Sequence, residues 1–153
     1  MRYFLFLALL LTFVGCRKDL PETLIEGGYD EQEMSAAIAK AQGSVDAFLS
    51  ELNNPQGTDH SVKAAVQDQE NVEHFWLTDI TFANDEFEGL IGNEPGMVSN
   101  VQMGQKFKVK KSEISDWMYM KDGKMYGNYT MRPLLKTMPQ EEAAFFQSML
   151  AEP

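Results

Sequence analysis

The chain has 153 residues, of which 44% are hydrophobic and 24% are charged, and its formal net charge at pH 7 is −10. A single cysteine excludes a disulfide framework, and the acidic balance argues against a nucleic-acid partner, which needs a dominant basic surface. The charge is uneven, since residues 19–105 hold 17 acidic and two basic residues, whereas residues 106–136 hold eight basic and three acidic ones. The basic segment is therefore either the solvated face of a strand or a contact for anionic groups.

The first residues have the pattern of an export signal. Arg2 is followed by the apolar run 3–11, which predicts a secretory signal peptide over residues 1–15. The run is too short to span a bilayer, which needs about 20 apolar residues. The small residues before the only cysteine, Cys16, resemble a bacterial lipobox, although Phe13 stands where leucine is commonest. The alternative is an ordinary signal peptide beside an incidental cysteine.

Lipid attachment at Cys16 would tether the mature protein to a membrane without a spanning helix. Arg17 follows the cysteine where retention at the inner membrane would favour aspartate, so we expect the periplasmic face of the outer membrane. Residues 16–29 are predicted to be the lipidated cysteine and a linker, and residues 30–153 a single domain. With its cysteine acylated, the mature chain would have no free thiol, which excludes thiol catalysis.

A helix is predicted at the start of this domain. Asp30 followed by Glu33 resembles a capping box. One apolar stripe then recurs at three- and four-residue steps over Met34, Ile38, Ala41, Val45, Phe48, Leu49 and Leu52. Because proline disfavours helix in the residue before it, the helix of about 22 residues should end before Pro55.

Strand patterns fill the middle of the chain. They cover residues 61–70, 72–82, 87–92 and 106–110. A tight turn at Asn84-Asp85 would place Phe82 beside Phe87, and Gly89 is expected to mark a bend in the sheet. In the last strand lysines alternate with apolar residues, which predicts one exposed and one buried face.

The segment 114–135 predicts a hairpin, because Asp122-Gly123 suits a two-residue turn in which both residues have φ > 0. Its predicted cross-strand pairs are Lys121–Lys124, Met120–Met125, Tyr119–Tyr126, Met118–Gly127 and Trp117–Asn128. One face would carry Trp117, Tyr119, Tyr126 and Asn128, and the other Asp116, Met118, Met120, Met125 and Tyr129.

The chain should close with a short helix that begins near Pro139. Its buried side is predicted to consist of Ala143, Phe145, Phe146, Met149 and Leu150. This order of elements indicates an α+β fold, in which a long N-terminal helix packs on a bent antiparallel β-sheet of about five or six strands and a short C-terminal helix follows.

Several motifs in fixed order carry a family resemblance. They are FWLTDITF, FEGLIGNEP, the Met-Gly pair before the lysine-rich strand, and ISDWMYMKDGKMYGNYTMRPLLK. Together they resemble the YegJ-like family of uncharacterised bacterial proteins over roughly residues 30–138. The resemblance implies a shared fold, and the small predicted lipoproteins in that family agree with Cys16. It transfers no activity.

No catalytic constellation is recognisable. His60, expected in a loop, and His74 lack the spacing of a zinc site, so neither a metal nor a cofactor is indicated. Asp79 and Asp116 lie near aromatic residues in strands and are the candidates for a hydrolase. A solvent-facing or hydrogen-bonded aspartate is the alternative for each.

Aromatic and polar residues around the hairpin form the better candidate for a binding surface. They are Asp116, Trp117, Tyr126, Asn128, Tyr129 and Arg132. Core packing is the alternative for the aromatic residues. We therefore expect a non-enzymatic, lipid-anchored envelope protein that binds a protein or an envelope glycan such as peptidoglycan. The alternative is an acidic inhibitor or immunity-type protein directed against a basic envelope enzyme, and the oligomeric state is left open.

Overall fold

The computed structural model describes residues 28–152, so the predicted signal peptide, Cys16 and the linker up to residue 27 lie outside the described residues. Four α-helices, six strands and one 3-10 turn make up this part of the chain. In order they are α1 Glu31–Gly43, α2 Val45–Asn53, β1 Thr58–Asp68, β2 Asn71–Ala83, β3 Glu86–Ile91, β4 Lys106–Lys110, the 3-10 turn Lys111–Glu113, β5 Ile114–Lys121, β6 Lys124–Gly127, α3 Met131–Leu135 and α4 Gln140–Met149. The predicted α+β class is confirmed.

The six strands form one antiparallel sheet in the order β4-β3-β2-β1-β5-β6. Strands β1 to β4 follow one another as neighbours, and β5 then returns to the other side of β1. Helices α1 and α2 pack on one face, mainly against β5. Alternate side chains of the strands point to that face and form the core, whose largest fully buried members are Phe48, Phe75, Phe87, Leu77, Ile91, Ile114 and Val62.

The predicted single N-terminal helix is in fact two helices. Asp30 caps α1, since its Oδ1 accepts from the backbone N–H groups of Gln32 and Glu33 at 2.8 and 3.0 Å. The helix is interrupted at Ser44, whose φ is −108° and whose hydroxyl donates to the Lys40 carbonyl at 2.7 Å. A glycine followed by a serine that bonds back to the preceding turn is a poor continuation of a helix, which accounts for the break.

The turn between β2 and β3 has the predicted form. Asn84 and Asp85 have φ values of 52° and 64°, and the rings of Phe82 and Phe87 are 4.7 Å apart. A register shift in β2 lies opposite Gly89, where a Cβ atom would be 2.7 Å from a β2 carbonyl oxygen. The predicted bend at this glycine is therefore confirmed, because only a residue without a side chain permits such close approach.

The hairpin β5–β6 also has the predicted turn and register up to Met118–Gly127, but the predicted Trp117–Asn128 pair is not part of the ladder, because β6 ends at Gly127. Asp122 and Gly123 have φ values of 51° and 73°, and the paired residues run from Lys121–Lys124 to Met118–Gly127. The rings of Tyr119 and Tyr126 stack at 4.9 Å on the helix-covered side. This stacking fixes the orientation of the hairpin relative to the core.

The C-terminal region differs most from expectation. Helix α3 was not predicted, and α4 contains no fully buried residue, with Phe145 60% exposed. The predicted buried side of α4 is therefore wrong at Phe145. Beyond α4, Leu150 forms a parallel bridge with Met125, and the Ala151 N–H donates to the Met125 carbonyl at 2.9 Å. Within residues 28–152, no helix is both long enough and apolar enough to cross a membrane.

Candidate functional site

Asp116 is the centre of a buried polar network near the start of β5. Its side chain is fully buried and accepts four hydrogen bonds. Oδ1 accepts from the Trp117 N–H at 2.9 Å and the Tyr129 N–H at 3.1 Å, and Oδ2 accepts from the N–H and the hydroxyl of Thr130, both at 2.7 Å. A buried carboxylate needs such donors to offset its desolvation. Asp116 therefore fixes the path of the chain from residue 128 to residue 131.

This segment passes around the edge of the sheet. Gly127 and Asn128 both have positive φ, at 75° and 46°, which turns the chain away from β6. The Tyr129 ring then makes an edge contact with Trp117 at 5.6 Å on the helix-covered side, whereas the Thr130 hydroxyl reaches Lys63 on the opposite face. The prediction that Tyr129 lies on the face opposite Trp117 is thus wrong, because the edge crossing reverses the strand alternation.

A groove of about 330 Å³ lies between α1 and α3, and we call it the α1/α3 groove. Its lining consists of Glu33, Ala36, Ala37, Lys40, Tyr129, Arg132, Pro133 and Lys136. The Tyr129 ring lies between two cations, with Lys40 Nζ at 5.2 Å and Arg132 Cζ at 5.3 Å from its centroid. Lys136 pairs with Glu33 at 2.5 Å. The groove therefore combines a small apolar floor with a net positive rim.

Arg132 is partly structural. Its guanidinium donates to the carbonyls of Gly127 at 2.9 Å, Asn128 at 3.2 Å and Ala151 at 3.0 Å. These bonds tie α3 to the end of β6 and to the C-terminal segment. Lys40 and Lys136 are exposed, and because Lys136 is paired with Glu33, Lys40 is the groove cation with the most freedom to meet a ligand.

A second polar group lies on the face of the sheet away from α1 and α2, and we call it the Lys63 cluster. It consists of Lys63, Trp76, His74, Ser115 and Thr130. Lys63 Nζ donates to the Thr130 hydroxyl at 2.8 Å and lies 4.6 Å from the Trp76 ring centroid. His74 Nδ1 is 2.9 Å from the Ser115 hydroxyl, which donates to the Lys63 carbonyl at 3.2 Å. The cluster thus joins β1, β2 and β5.

Burial perturbs both titratable groups of this cluster. It lowers the pKa of Lys63 to about 8, although the nearby Asp116 carboxylate acts in the opposite direction. Burial also lowers the pKa of His74, and the positive charge of Lys63 adds to this effect. The Ser115 hydroxyl donates its hydrogen to the Lys63 carbonyl, so its oxygen accepts a hydrogen bond from His74 Nδ1–H. In the neutral form of His74 the ring proton is therefore on Nδ1.

The six predicted binding residues do not form one exposed surface. Four of them are buried, namely Asp116, Trp117, Asn128 and Tyr129. Trp117 Nε1 donates to the Ala41 carbonyl at 2.9 Å, so its polar atom is used inside the core. Tyr126 and Arg132 are half-buried. The structure does bring Tyr129 and Arg132 together, and both line the α1/α3 groove.

The other candidate side chains are dispersed. His60 lies in β1 and not in a loop, where it stacks on Tyr119 at 5.6 Å and approaches the Glu51 carboxylate at 3.4 Å. Asp79 is exposed at the β2 register shift, with φ of 49°, whereas Asp116 is buried in β5. Among residues 28–152, no three His, Cys, Asp or Glu side chains are placed to hold a metal ion.

Sequence reasoning missed Lys40, Lys63 and Trp76. The available signal was that Lys40 and Lys63 are the only basic residues between positions 19 and 105. A rare lysine in an acidic, strand-forming segment is a reason to look for a particular contact. The partner of Lys63, Thr130, is 67 positions away in the sequence, and no local pattern indicates that the two residues pair.

Comparison with known proteins defines the class. Residues 31–151 match the family described as "Uncharacterized protein conserved in bacteria (DUF2314)", and the chain belongs to this family. The match covers both the groove and the Lys63 cluster.

Two relatives extend this result. The chain is 47% identical over 139 residues to "Uncharacterized protein YegJ" of Escherichia coli strain K12, covering 91% of each chain, which confirms the predicted resemblance. It is 38% identical over 76 residues to a putative ankyrin repeat protein of Neisseria meningitidis serogroup B, covering 50% of this chain and 30% of that protein. No solved structure matches the chain significantly.

Proposed function

We propose that the protein is a non-enzymatic, lipid-anchored binding module of the bacterial cell envelope, in which the α1/α3 groove receives an anionic group of a partner protein or an envelope glycan. The observation that carries this proposal is the placement of Lys40 and Arg132 beside Tyr129, with Lys136 in the same groove, in a chain of net charge −10. Cations gathered at a concave site in an otherwise acidic chain favour an anionic ligand.

The state of Asp116 supports a binding role over hydrolysis. Its carboxylate is fully buried and already accepts four hydrogen bonds. A general base must come within hydrogen-bond reach of a substrate, and Asp116 is enclosed by the chain that it holds. Asp79, the other aspartate considered, lies on an exposed bulge outside the groove.

Photo-crosslinking from α1 tests the site. A photoreactive residue at Ala36, which is exposed in the groove, should capture an envelope protein or peptidoglycan fragment. The same residue at Ala39, which is exposed on α1 but does not line the groove, is the matched control. Equal capture from both positions would contradict the groove assignment. If a partner is captured only from Ala39 and high salt abolishes this capture, the result would favour the acidic-inhibitor alternative.

Titration with soluble muropeptides separates a glycan from a protein ligand. A groove that binds their carboxylates should show NMR shift changes at Tyr129, and these should be lost in the double variant Lys40→Gln/Lys136→Gln. Lys110→Gln, which removes an exposed lysine of β4, should leave binding unchanged. Binding by the double variant at wild-type strength would show that the groove cations are not the site.

The membrane anchor is tested separately, because Cys16 lies outside the described residues. Cys16→Ser should move the mature protein from the membrane fraction to the soluble periplasmic fraction. Continued partitioning with membranes would show that lipidation at Cys16 is not the anchor.

A further inference from the structure

Lys63 has an unusual position for a lysine. It is partly buried in the middle of the sheet, and within residues 28–152 the Thr130 hydroxyl is its one hydrogen-bond partner, at 2.8 Å. An ammonium group has three N–H donors. No carboxylate in the described part of the chain lies within 4.0 Å of Lys63 Nζ. Two of its donors therefore have no partner among the described residues.

Trp76 provides an apolar surface beside this cation. The indole is half-buried, and Lys63 Nζ lies 4.6 Å from its centroid. Gly92 directly follows β3, and its N–H donates to the Trp76 carbonyl at 2.8 Å. A Cβ atom at Gly92 would lie 2.8 Å from the Trp76 carbonyl oxygen and 3.2 Å from the Thr78 methyl group, so the close approach of the two strands leaves no room for a side chain there.

His74 completes the arrangement two residues before Trp76 on the same face of β2. Its Nδ1 is held by Ser115 at 2.9 Å, which fixes the ring. Nε2 has no hydrogen bond within the described residues, and the residue is exposed. A fixed imidazole, an ammonium with free donors and an indole surface thus lie together on the side of the sheet that α1 and α2 leave open.

We propose that Lys63, Trp76 and His74 form a second binding site, separate from the α1/α3 groove, for a carboxylate that is attached to a ring or other apolar carbon frame. The carboxylate accepts from Lys63 Nζ, the carbon frame packs on Trp76, and His74 Nε2 lies at the rim. This proposal does not rest on the function proposed for the groove.

The charge balance favours a carboxylate over a phosphate. Asp116 is linked to Lys63 through the Thr130 hydroxyl, which donates to Asp116 Oδ2 at 2.7 Å. The local charge of Lys63 is therefore largely compensated before a ligand binds. A monoanion adds one negative charge at this point, whereas a phosphate dianion would meet stronger repulsion from Asp116 and from the acidic chain as a whole. The resulting affinity is expected to be modest, because a partly exposed ion pair contributes little by itself.

A matched pair of sugars tests this inference. N-acetylmuramic acid is N-acetylglucosamine with an added lactyl carboxylate, so the pair differs in the group that Lys63 should bind. We expect N-acetylmuramic acid to shift the Trp76 indole resonance in an NMR titration and N-acetylglucosamine to leave it unchanged at the same concentration. Buried Trp117 is the internal reference. N-acetylphenylalanine serves as a peptide-like ligand in the same titration. If it shifts the Trp76 resonance more than N-acetylmuramic acid does, the natural ligand carries a peptide carboxylate and not a sugar carboxylate.

Two substitutions and the pH dependence complete the experiment. Lys63→Met should abolish the shift, and Lys106→Met, which removes an exposed lysine of β4, should preserve it. In the unmodified protein, affinity should fall about tenfold between pH 7 and pH 9, because a lysine with a pKa of about 8 loses most of its charge over this range. Asp116 and His74 are the other titratable groups facing Lys63.

Three results would overturn the proposal. They are equal shifts with both sugars, undiminished binding by a folded Lys63→Met variant, and an affinity that does not fall over the pH range in which Lys63 is measured to lose its charge. The pH series needs no variant, so together with the titration midpoint of Lys63 it tests the site even if Lys63→Met does not fold. Shifts confined to Tyr129 and its neighbours would also overturn this site while supporting the groove.

Discussion

The backbone N–H and the hydroxyl of Thr130 both donate hydrogen bonds to the same oxygen of Asp116, each at 2.7 Å. The two residues are 14 positions apart, and their contact holds the chain where it leaves β6 and enters α3. One carboxylate therefore determines where Tyr129 meets the groove and where the Thr130 hydroxyl meets Lys63. Both proposed sites depend on this contact.

Asp116→Asn should destabilise the fold by about 2–4 kcal/mol, because an amide cannot accept from all four donors and leaves buried N–H groups unsatisfied. The free energy of unfolding in urea measures this effect. Asp79→Asn is the matched control and should change stability by less than about 0.5 kcal/mol, since Asp79 is exposed and asparagine tolerates its positive φ. Equal effects from the two substitutions would contradict the role assigned to Asp116.

Two glycines of the hairpin should respond differently to alanine. Both have positive φ, 75° at Gly127 and 73° at Gly123. A Cβ atom at Gly127 would collide with the Trp117 carbonyl oxygen and ring, whereas at Gly123 it would meet no atom within 4 Å. Gly123→Ala should cost about 1–2 kcal/mol from the backbone conformation alone. Gly127→Ala should cost several kcal/mol in thermal or urea unfolding, and a cost no greater than that of Gly123→Ala would contradict this packing.

Glu73 should control the loop between β3 and β4. Its carboxylate is buried and accepts from the backbone N–H groups of Gly96, Met97 and Val98 at 2.9–3.2 Å. Glu73→Gln replaces an acceptor by an amide donor and should destabilise the protein by about 1–3 kcal/mol. Hydrogen exchange at Met97 and Val98 should accelerate more than exchange in β1. The exposed turn variant Glu70→Gln should leave these amides unchanged.

Stability should depend on the ionisation of Lys63. Burial lowers its folded-state pKa to about 8, whereas the unfolded lysine keeps its proton up to about 10.5. The unfolded chain then binds more protons between these values, so this group makes stability rise with pH from about 8 to 10.5, by at most about 3 kcal/mol. Lys63→Met should show a flatter curve of unfolding free energy against pH in that window. Curves that stay parallel would contradict the lowered pKa.

A direct titration checks the same point. The Lys63 Nζ resonance should have its midpoint near pH 8. Lys111 provides the contrast, because its hydrogen bond to Asp46 raises its pKa above the usual lysine value. A midpoint for Lys63 at or above that of Lys111 would show that burial does not dominate at this position.

The hairpins were predictable from sequence because their information is local. Asp122-Gly123 and Asn84-Asp85 need positive φ at adjacent positions, and the residue types satisfy that requirement by themselves. Gly89 likewise marked the register shift. Once a turn is fixed, the period-two alternation of a strand sets the pairing and the buried face.

The binding residues were predicted less well because burial depends on contacts between distant segments. Trp117 has the composition of a binding residue, yet its indole N–H is used by the Ala41 carbonyl 76 positions away. Tyr129 changed faces because the chain crosses the sheet edge after Gly127, and strand alternation does not extend through such a crossing. The break at Ser44 was missed because the apolar stripe continues across it.

The two edges of the sheet are protected by different means. The outer edge of β6 is already paired with Leu150 and Ala151, whereas β4 is a short edge strand that carries exposed lysines at positions 106, 108 and 110. Among the described residues, β4 is therefore the edge more open to strand addition. If two copies of the domain ever joined through β4, both remaining edges would be occupied, so the product would be a closed pair and not a growing fibre.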